Sequence, residues 1–283
     1  MKKTENVCCF LKGDEKMHRN GEIIDQQLFP STSPSVRLSI VTYISEGLKV
    51  RGLLAEPVHN GPCDGFLYLR GGIKNVGMVR AGRIIQFASK GFVVMAPFYR
   101  GNLGGEGNED FAGFDRYDAV NAFYLLQMHP KVNKNRIHVF GFSRGGVMAL
   151  LTGILCSQVC SIVTWGGVSD MFLTYTERKD LRRMMKRVIG GTPKKCPGSY
   201  KWRTPLYQLD QIKAPVLIIH GEKDENVSVE HAYRLEKRLR ELGKDVESWY
   251  FRYFRHHFPP KDNKTIVEDL TNWMRNRKPS FYF

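Results

Sequence analysis

The sequence predicts an α/β fold, a doubly wound and mostly parallel sheet with helices on both faces. Three observations predict it: short apolar runs that do not alternate, helical patterns between those runs, and a glycine-rich strand–turn–helix segment around Ser143. A run that is apolar at every position suits a strand buried on both faces, as in a parallel sheet covered by helices. Alternation of such runs with amphipathic helices is the pattern of the α/β class.

Residues 1–35 are polar, weakly periodic and end in FPSTSPS, which cannot sustain a helix or a central strand. They read as an N-terminal arm. From Val36 the pattern turns to β-rich runs, VRLSIVTY and KVRGLLAE, around the turn-like Ser45-Glu46-Gly47, which predicts an antiparallel opening hairpin. The non-alternating runs follow: FLYL at 66–69, FVVMA at 92–96, IHVF at 137–140, IVTW at 162–165 and VLII at 216–219. Helical patterns occupy 79–90, 115–127, 144–156 and 229–242. Residues 36–283 are therefore expected to form one domain, large enough to bury its own core.

Composition narrows the class. Hydrophobic residues at 42% and charged residues at 25% exclude a disordered or fibrous chain. No apolar run approaches the roughly 20 residues that span a bilayer, and charges flank the short VCCFL run on both sides, so neither a membrane span nor a secretion signal is expected. The six cysteines, at 8, 9, 63, 156, 160 and 196, form no C-x-x-C pair, which fits free thiols in a reducing cytoplasm. His-x-x-x-His and grouped Cys/His sets are absent, so no metal is expected, and Cys156 and Cys160 read as a core pair on one helix. The net charge of +15 raises nucleic-acid binding, yet the charge is spread along the chain without zinc-finger spacing, an RNP-like aromatic run or a basic heptad region, so no nucleic-acid partner is expected. The densest basic stretch is 178–203, where Leu181, Met184, Met185 and Val188 recur at helical spacing among arginines and lysines. That is an amphipathic helix whose basic outer face is either solvated or attractive to an anionic substrate or partner.

The segment IHVFGFSRGGVMAL at 137–150 places Gly141-Phe142-Ser143-Arg144-Gly145 between a buried strand and an apolar helix. G-x-S-x-G in that context is a nucleophile elbow, in which glycines allow a sharp turn that lifts the serine above an α/β-hydrolase sheet. The turn also sets Ser143 at a helix N-terminus, where backbone N–H groups can stabilise a developing oxyanion. A hydroxyl needs a base to take its proton, and in this fold an acid and then a histidine follow in chain order. After VLII comes His220-Gly221-Glu222-Lys223-Asp224-Glu225, where Asp224 is chosen as the acid over Glu222 and Glu225. His220 is expected to hydrogen-bond within that turn. After ESWYFRYF comes Arg255-His256-His257-Phe258, and either histidine can serve as the base.

Together these residues resemble the catalytic domain of the prolyl oligopeptidase family over roughly 36–277. YISEGLKVRGLL at 43–54 resembles that family's opening hairpin, and Phe98-Tyr99-Arg100-Gly101-Asn102 with Gly104, Gly107 and Phe111 is similar to its Tyr-Arg-Gly-Ser loop. The run from Arg203-Thr204-Pro205 through Lys213-Ala214-Pro215-Val216 to His220-Gly221 is similar to its approach to the acid loop. The family's His-Gly-Phe segment maps onto His256-His257-Phe258, which assigns the base to His256 and leaves His257 to packing or substrate contact. Two departures qualify the likeness. Only about 35 residues precede the hydrolase region, so no β-propeller is expected, and the oxyanion loop reads Arg70-Gly71-Gly72-Ile73 where the family often has His-Gly-Gly or Tyr-Gly-Gly. Backbone N–H groups of Gly72 and Arg144 are then the expected oxyanion donors; Arg70 either buttresses the loop or meets an anionic group, and Arg70, Tyr99 and His257 are candidates to contact substrate.

The resemblance implies a serine hydrolase that needs no cofactor and forms an acyl-enzyme on a small ester or a short peptide. The alternatives are a serine peptidase acting on short peptides and, from another class, a non-catalytic hydrolase-fold binding protein with a basic surface. A binding module has no reason to keep nucleophile, acid and base together in chain order.

Overall fold

The computed structural model describes residues 18–59 and 61–278. Its core is one nine-stranded sheet in the order β1-β2-β3-β5-β4-β6-β7-β8-β9. The opening hairpin is β2 (Val36–Ser45) and β3 (Leu48–Pro57), in register from Val36 opposite Pro57 to Ser45 opposite Leu48. Glu46 (φ 49°) and Gly47 (φ 75°) form its two-residue loop, with both central residues left-handed as a type I′ turn requires. Asn20 secures the tip, accepting from the Glu46 backbone N–H at 2.8 Å and donating to the Glu46 side chain at 2.7 Å.

No local pattern marks β1 (Ile23–Phe29), which pairs antiparallel with β2 and makes part of the expected arm an edge of the sheet. Its IIDQQLF pattern is largely exposed, so pairing with β2 rather than burial holds it in place. The strands β4 (Cys63–Leu69), β5 (Phe92–Pro97), β6 (Val132–Phe142), β7 (Ser161–Trp165), β8 (Val216–Gly221) and β9 (Val246–Phe251) are mutually parallel, and β5 joins the antiparallel part through β3. The apolar FLYL run is explained by its two faces. Leu67 and Leu69 enter one core with Phe123 and Leu150, whereas Phe66 and Tyr68 enter the other with Phe87 and Leu270. Side chains alternate across a strand, so a run apolar throughout needs a helical layer on each side.

The helices are α1 (Ala81–Ala88), α2 (Arg116–Met128), α3 (Gly145–Leu155), α4 (Met171–Glu177), α5 (Arg182–Ile189), α6 (Pro197–Trp202), α7 (Glu230–Glu241) and α8 (Pro260–Arg275). Residues of α2, α3 and α7 build the first core, and those of α1 and α8 the second. The basic stretch is not one helix. A 3₁₀ turn at Lys179–Leu181 leads into α5, which stops at Gly190 (φ 100°), and α6 starts afresh at Pro197. Glycine at that left-handed position and proline at the next N-terminus are ordinary stop and start signals. The apolar face of α5 is nonetheless as expected, with Met185 buried and Leu181, Met184 and Val188 packed against the core. Cys156 ends α3 and Cys160 lies just before β7, so they do not share a helix; both are buried free thiols.

Candidate active site

The candidate site lies at the C-terminal ends of β4, β6, β8 and β9. Between β6 and α3 the backbone turns at Ser143 with φ 58°. A β-carbon on Gly141 would overlap the Gly145 carbonyl, and one on Gly145 would overlap the Leu69 carbonyl, so the elbow closes only because both positions lack side chains. The turn is pinned to its neighbours. The Ser143 N–H donates to Trp165 O at 3.1 Å, and the Ser143 carbonyl accepts from the N–H groups of Gly146 and Val168, both at 2.9 Å.

Asp224 stands on the loop after β8. Its Oδ1 accepts from the backbone N–H groups of Asn226 (2.8 Å) and Val227 (2.9 Å), while Oδ2 lies 2.7 Å from His256 Nδ1. Burial alone would raise the Asp224 pKa, but the hydrogen bonds from His256, Val227 and Asn226 hold it below the usual carboxylate value. An ionised carboxylate only accepts, so Nδ1 carries the hydrogen and Nε2 is left as the basic nitrogen. His256 is buried with its ring centroid 4.8 Å from that of Phe142. Gly166 (φ 51°), just after β7, makes room for the pair: a β-carbon there would stand 3.2 Å from both Asp224 Oδ2 and His256 Nδ1. Glu222 and Glu225 are engaged elsewhere, the first with Tyr233 and the second with Arg255 at the surface. His220 holds the acid loop as expected, its Nε2 2.9 Å from Val227 O.

His257 lines the same cavity as Ser143 and His256, with its ring 5.4 Å from Phe142. Partial burial, then His256, Arg80 and Arg83, lower its pKa against the opposing pull of Asp224. Two expected substrate contacts need correction. Arg70 is 1% exposed and stands behind the cavity wall, donating to Phe98 O, Gly71 O, Val76 O and Glu109. Tyr99 is fully buried, with the guanidinium groups of Arg70 and Arg144 at 5.1 and 4.9 Å from its ring centroid. Neither side chain reaches the cavity, because both are used in bracing the loops that form it.

The bracing centres on Glu109, which nothing in the sequence singled out. Its carboxylate accepts from Arg70 Nη2 (3.1 and 3.2 Å), Asn102 Nδ2 (3.1 Å), the Lys74 N–H (2.7 Å) and Arg144 Nη2. One buried carboxylate thus ties Arg70, which precedes Gly71-Gly72, to Arg144, which follows Ser143. Arg144 also donates to Asp115 Oδ2 at 3.0 Å. Burial raises the Asp115 pKa, Arg144 pulls it down, and Asp110 and Glu109 raise it again, so that together they bring it up to about 7. Gly71 presses on Ser143, since a β-carbon there would stand 2.6 Å from Ser143 Cβ. Gly72 (φ 64°) and Arg144 both border the cavity, and Arg144 precedes α3, where backbone N–H groups have no intrahelical acceptor.

The cavity measures about 560 Å³ and is lined on its apolar side by Ile73, Met78, Phe111, Val168, Leu181 and Met184. Among the described residues no group of three or more His, Cys, Asp or Glu side chains is arranged to hold a metal ion, and no helix is long and apolar enough to cross a membrane.

Comparison with known proteins places this geometry. The uncharacterized peptidase YtmA of Bacillus subtilis (strain 168) is 66% identical over 256 residues, covering 90% of this chain and all of YtmA. The acylaminoacyl peptidase of Pyrococcus horikoshii superimposes with a TM-score of 0.75 at 20% identity, over 93% of this chain and 43% of that one. Acetyl xylan esterase 1 from Thermoanaerobacterium sp. superimposes with a TM-score of 0.68 at 14% identity, over 86% of each chain. At such identities these two structures establish the shared α/β-hydrolase fold. Residues 79–278 match the prolyl oligopeptidase family. The chain belongs to the prolyl oligopeptidase family and is a serine hydrolase.

Proposed function

We propose that Ser143, Asp224 and His256 are the catalytic triad and that the enzyme hydrolyses small esters. Ser143 Oγ attacks the carbonyl carbon while His256 Nε2 takes its proton, and Asp224 stabilises the resulting imidazolium. The tetrahedral oxyanion receives hydrogen bonds from the backbone N–H groups of Gly72 and Arg144. Collapse expels the leaving group, which takes the proton from His256, and water then hydrolyses the acyl-enzyme with His256 again as the base.

The observation that carries this reading is the 2.7 Å contact between His256 Nδ1 and an Asp224 already fixed by two backbone N–H groups. That arrangement sets both the tautomer and the direction of the free nitrogen. A second reading, cleavage of short peptides, is favoured by the name of the 66% identical relative, a peptidase. On either reading the hydrolase domain comprises 36–283, with β1 of the 1–35 arm added to its sheet. The free thiols of Cys63, Cys156, Cys160 and Cys196 suit a cytoplasmic setting. The test is labelling by a fluorophosphonate probe, wild type beside Ser143→Ala, followed by p-nitrophenyl esters of increasing length beside aminoacyl and peptidyl nitroanilides. Labelling of wild type alone supports Ser143 as nucleophile; equal labelling of both removes it.

A further inference from the structure

We propose that the catalytic cavity selects substrates bearing a carboxylate, held by Arg80 and Arg83; this rests on the hydrolase reading of the same cavity. Among the described residues its lining includes Arg80, Arg83, Arg144 and Arg178, and no aspartate or glutamate. Two of these arginines are already neutralised. Arg144 has Glu109, and Arg178 makes a two-pronged pair with Asp180 at 3.0 and 2.7 Å.

Arg80 and Arg83 differ. Arg83 meets only neutral groups, donating to Gln86 Oε1 at 3.1 Å and Asn263 Oδ1 at 2.6 Å and hydrogen-bonding the Tyr68 hydroxyl, and its guanidinium lies 5.3 Å from the ring centroids of Phe87 and Trp165. Those contacts hold the group half-buried without cancelling its charge. Among the described residues the Arg80 side chain has no hydrogen-bond or ion-pair partner and is exposed, free to close on a ligand. The two lie three residues apart at the start of α1, whose first turn has no acidic residue, and the positive end of a helix dipole disfavours cations there. Helix stability does not account for them, whereas an anion between them and His257 would. A guanidinium fork matches the paired oxygens of a carboxylate, as it does those of a phosphate, and a carboxylate is the anion an acyl substrate can itself carry. A substrate's free ammonium group, by contrast, would meet positive charge and no acceptor carboxylate, so the same wall disfavours substrates with a free amino terminus.

The test uses two esters of one acyl chain, mono-p-nitrophenyl glutarate and its methyl ester, which differ in one negative charge. At low salt, wild type should favour the anionic ester in kcat/KM by about tenfold or more, a preference that shrinks with ionic strength. Arg80→Gln, at an exposed position, should lower the ratio severalfold; Arg80→Gln combined with Arg83→Gln should abolish it, and Arg80→Glu should invert it. A wild-type ratio at or below one, or a ratio indifferent to all three variants, overturns the proposal. Calorimetric binding of both esters to Ser143→Ala separates the two readings. Failure of wild type to hydrolyse either ester counts against the ester-hydrolase reading, while equal affinities, or binding of neither at millimolar concentration, sink the carboxylate site.

Discussion

Replacing Glu109 by glutamine keeps the shape of the side chain and removes its charge. The carboxylate is almost wholly buried and serves four donors, two of them guanidinium groups. A glutamine has one acceptor oxygen, and its amide nitrogen would face a donor. Breaking a buried ion pair from one side costs about 3–5 kcal/mol. Arg144 retains Asp115 and Arg70 retains the Phe98 and Gly71 carbonyls, which points to the low end, about 3 kcal/mol. At about 2–4 °C per kcal/mol for a chain of this order, the melting temperature should fall by roughly 6–12 °C. Activity should fall as well. Arg70 Nη1 fixes the Gly71 carbonyl at 3.0 Å, and in a trans peptide the Gly72 N–H points the opposite way, so the clamp aims one expected oxyanion donor. An oxyanion donor is worth about 10²–10³ in kcat, and loosening one should cost about tenfold or more with KM little changed. Scanning calorimetry and steady-state hydrolysis of p-nitrophenyl acetate read both effects. A melting temperature within about 2 °C of wild type together with an unchanged kcat would refute the clamp.

Ser143→Ala should lower turnover by about 10⁴-fold or more and remove probe labelling, with far-UV circular dichroism unchanged. His256→Ala should cut kcat/KM by about 10³ or more, whereas His257→Ala should cost less than about tenfold on a neutral ester; the reverse order would move the base by one residue. Gly71→Ala drives a methyl group into Ser143 Cβ and should reduce kcat/KM by about 10² or more, as atomic-scale misplacement does; unimpaired turnover would show that the loop gives way. Asp115, raised to about 7, keeps its proton in the native state between about pH 4 and 7 while the unfolded chain has lost it, so folding stability declines as pH rises through that window. Asp115→Asn cannot ionise and should flatten the decline; identical urea midpoint shifts between pH 5 and 8 for both proteins would contradict this.

Where local pattern decides structure, the sequence was readable. The strand runs, the opening hairpin and the 137–150 segment each lie within a short window, and Asp224 and His256, which the fold brings within 2.7 Å, were legible as candidates because each follows its strand. Other features depend on partners distant in sequence. β1 is weakly patterned and exists through β2, and the basic stretch breaks where Gly190 and Pro197 outweigh its helical period. Arg70 and Tyr99 stand in sequence beside loops that do approach the site, yet neither side chain lines the cavity. Arg70 is instead held by Glu109, 39 residues beyond it, in a loop where Asp110 was an equally plain carboxylate, and Tyr99 packs against Arg70 and Arg144. Gly166 was equally silent, since only the folded chain shows what a side chain there would strike.

The left-handed backbone at Ser143, φ 58°, costs a non-glycine residue about 1–2 kcal/mol. Glycine would be more comfortable there, so selection for heat tolerance and selection for turnover pull this position in opposite directions. A library screened on survival at high temperature alone should enrich Ser143→Gly and return a sturdier, inert protein. Thermostable variants of this enzyme are therefore best sought with residue 143 held fixed and activity scored in the same round.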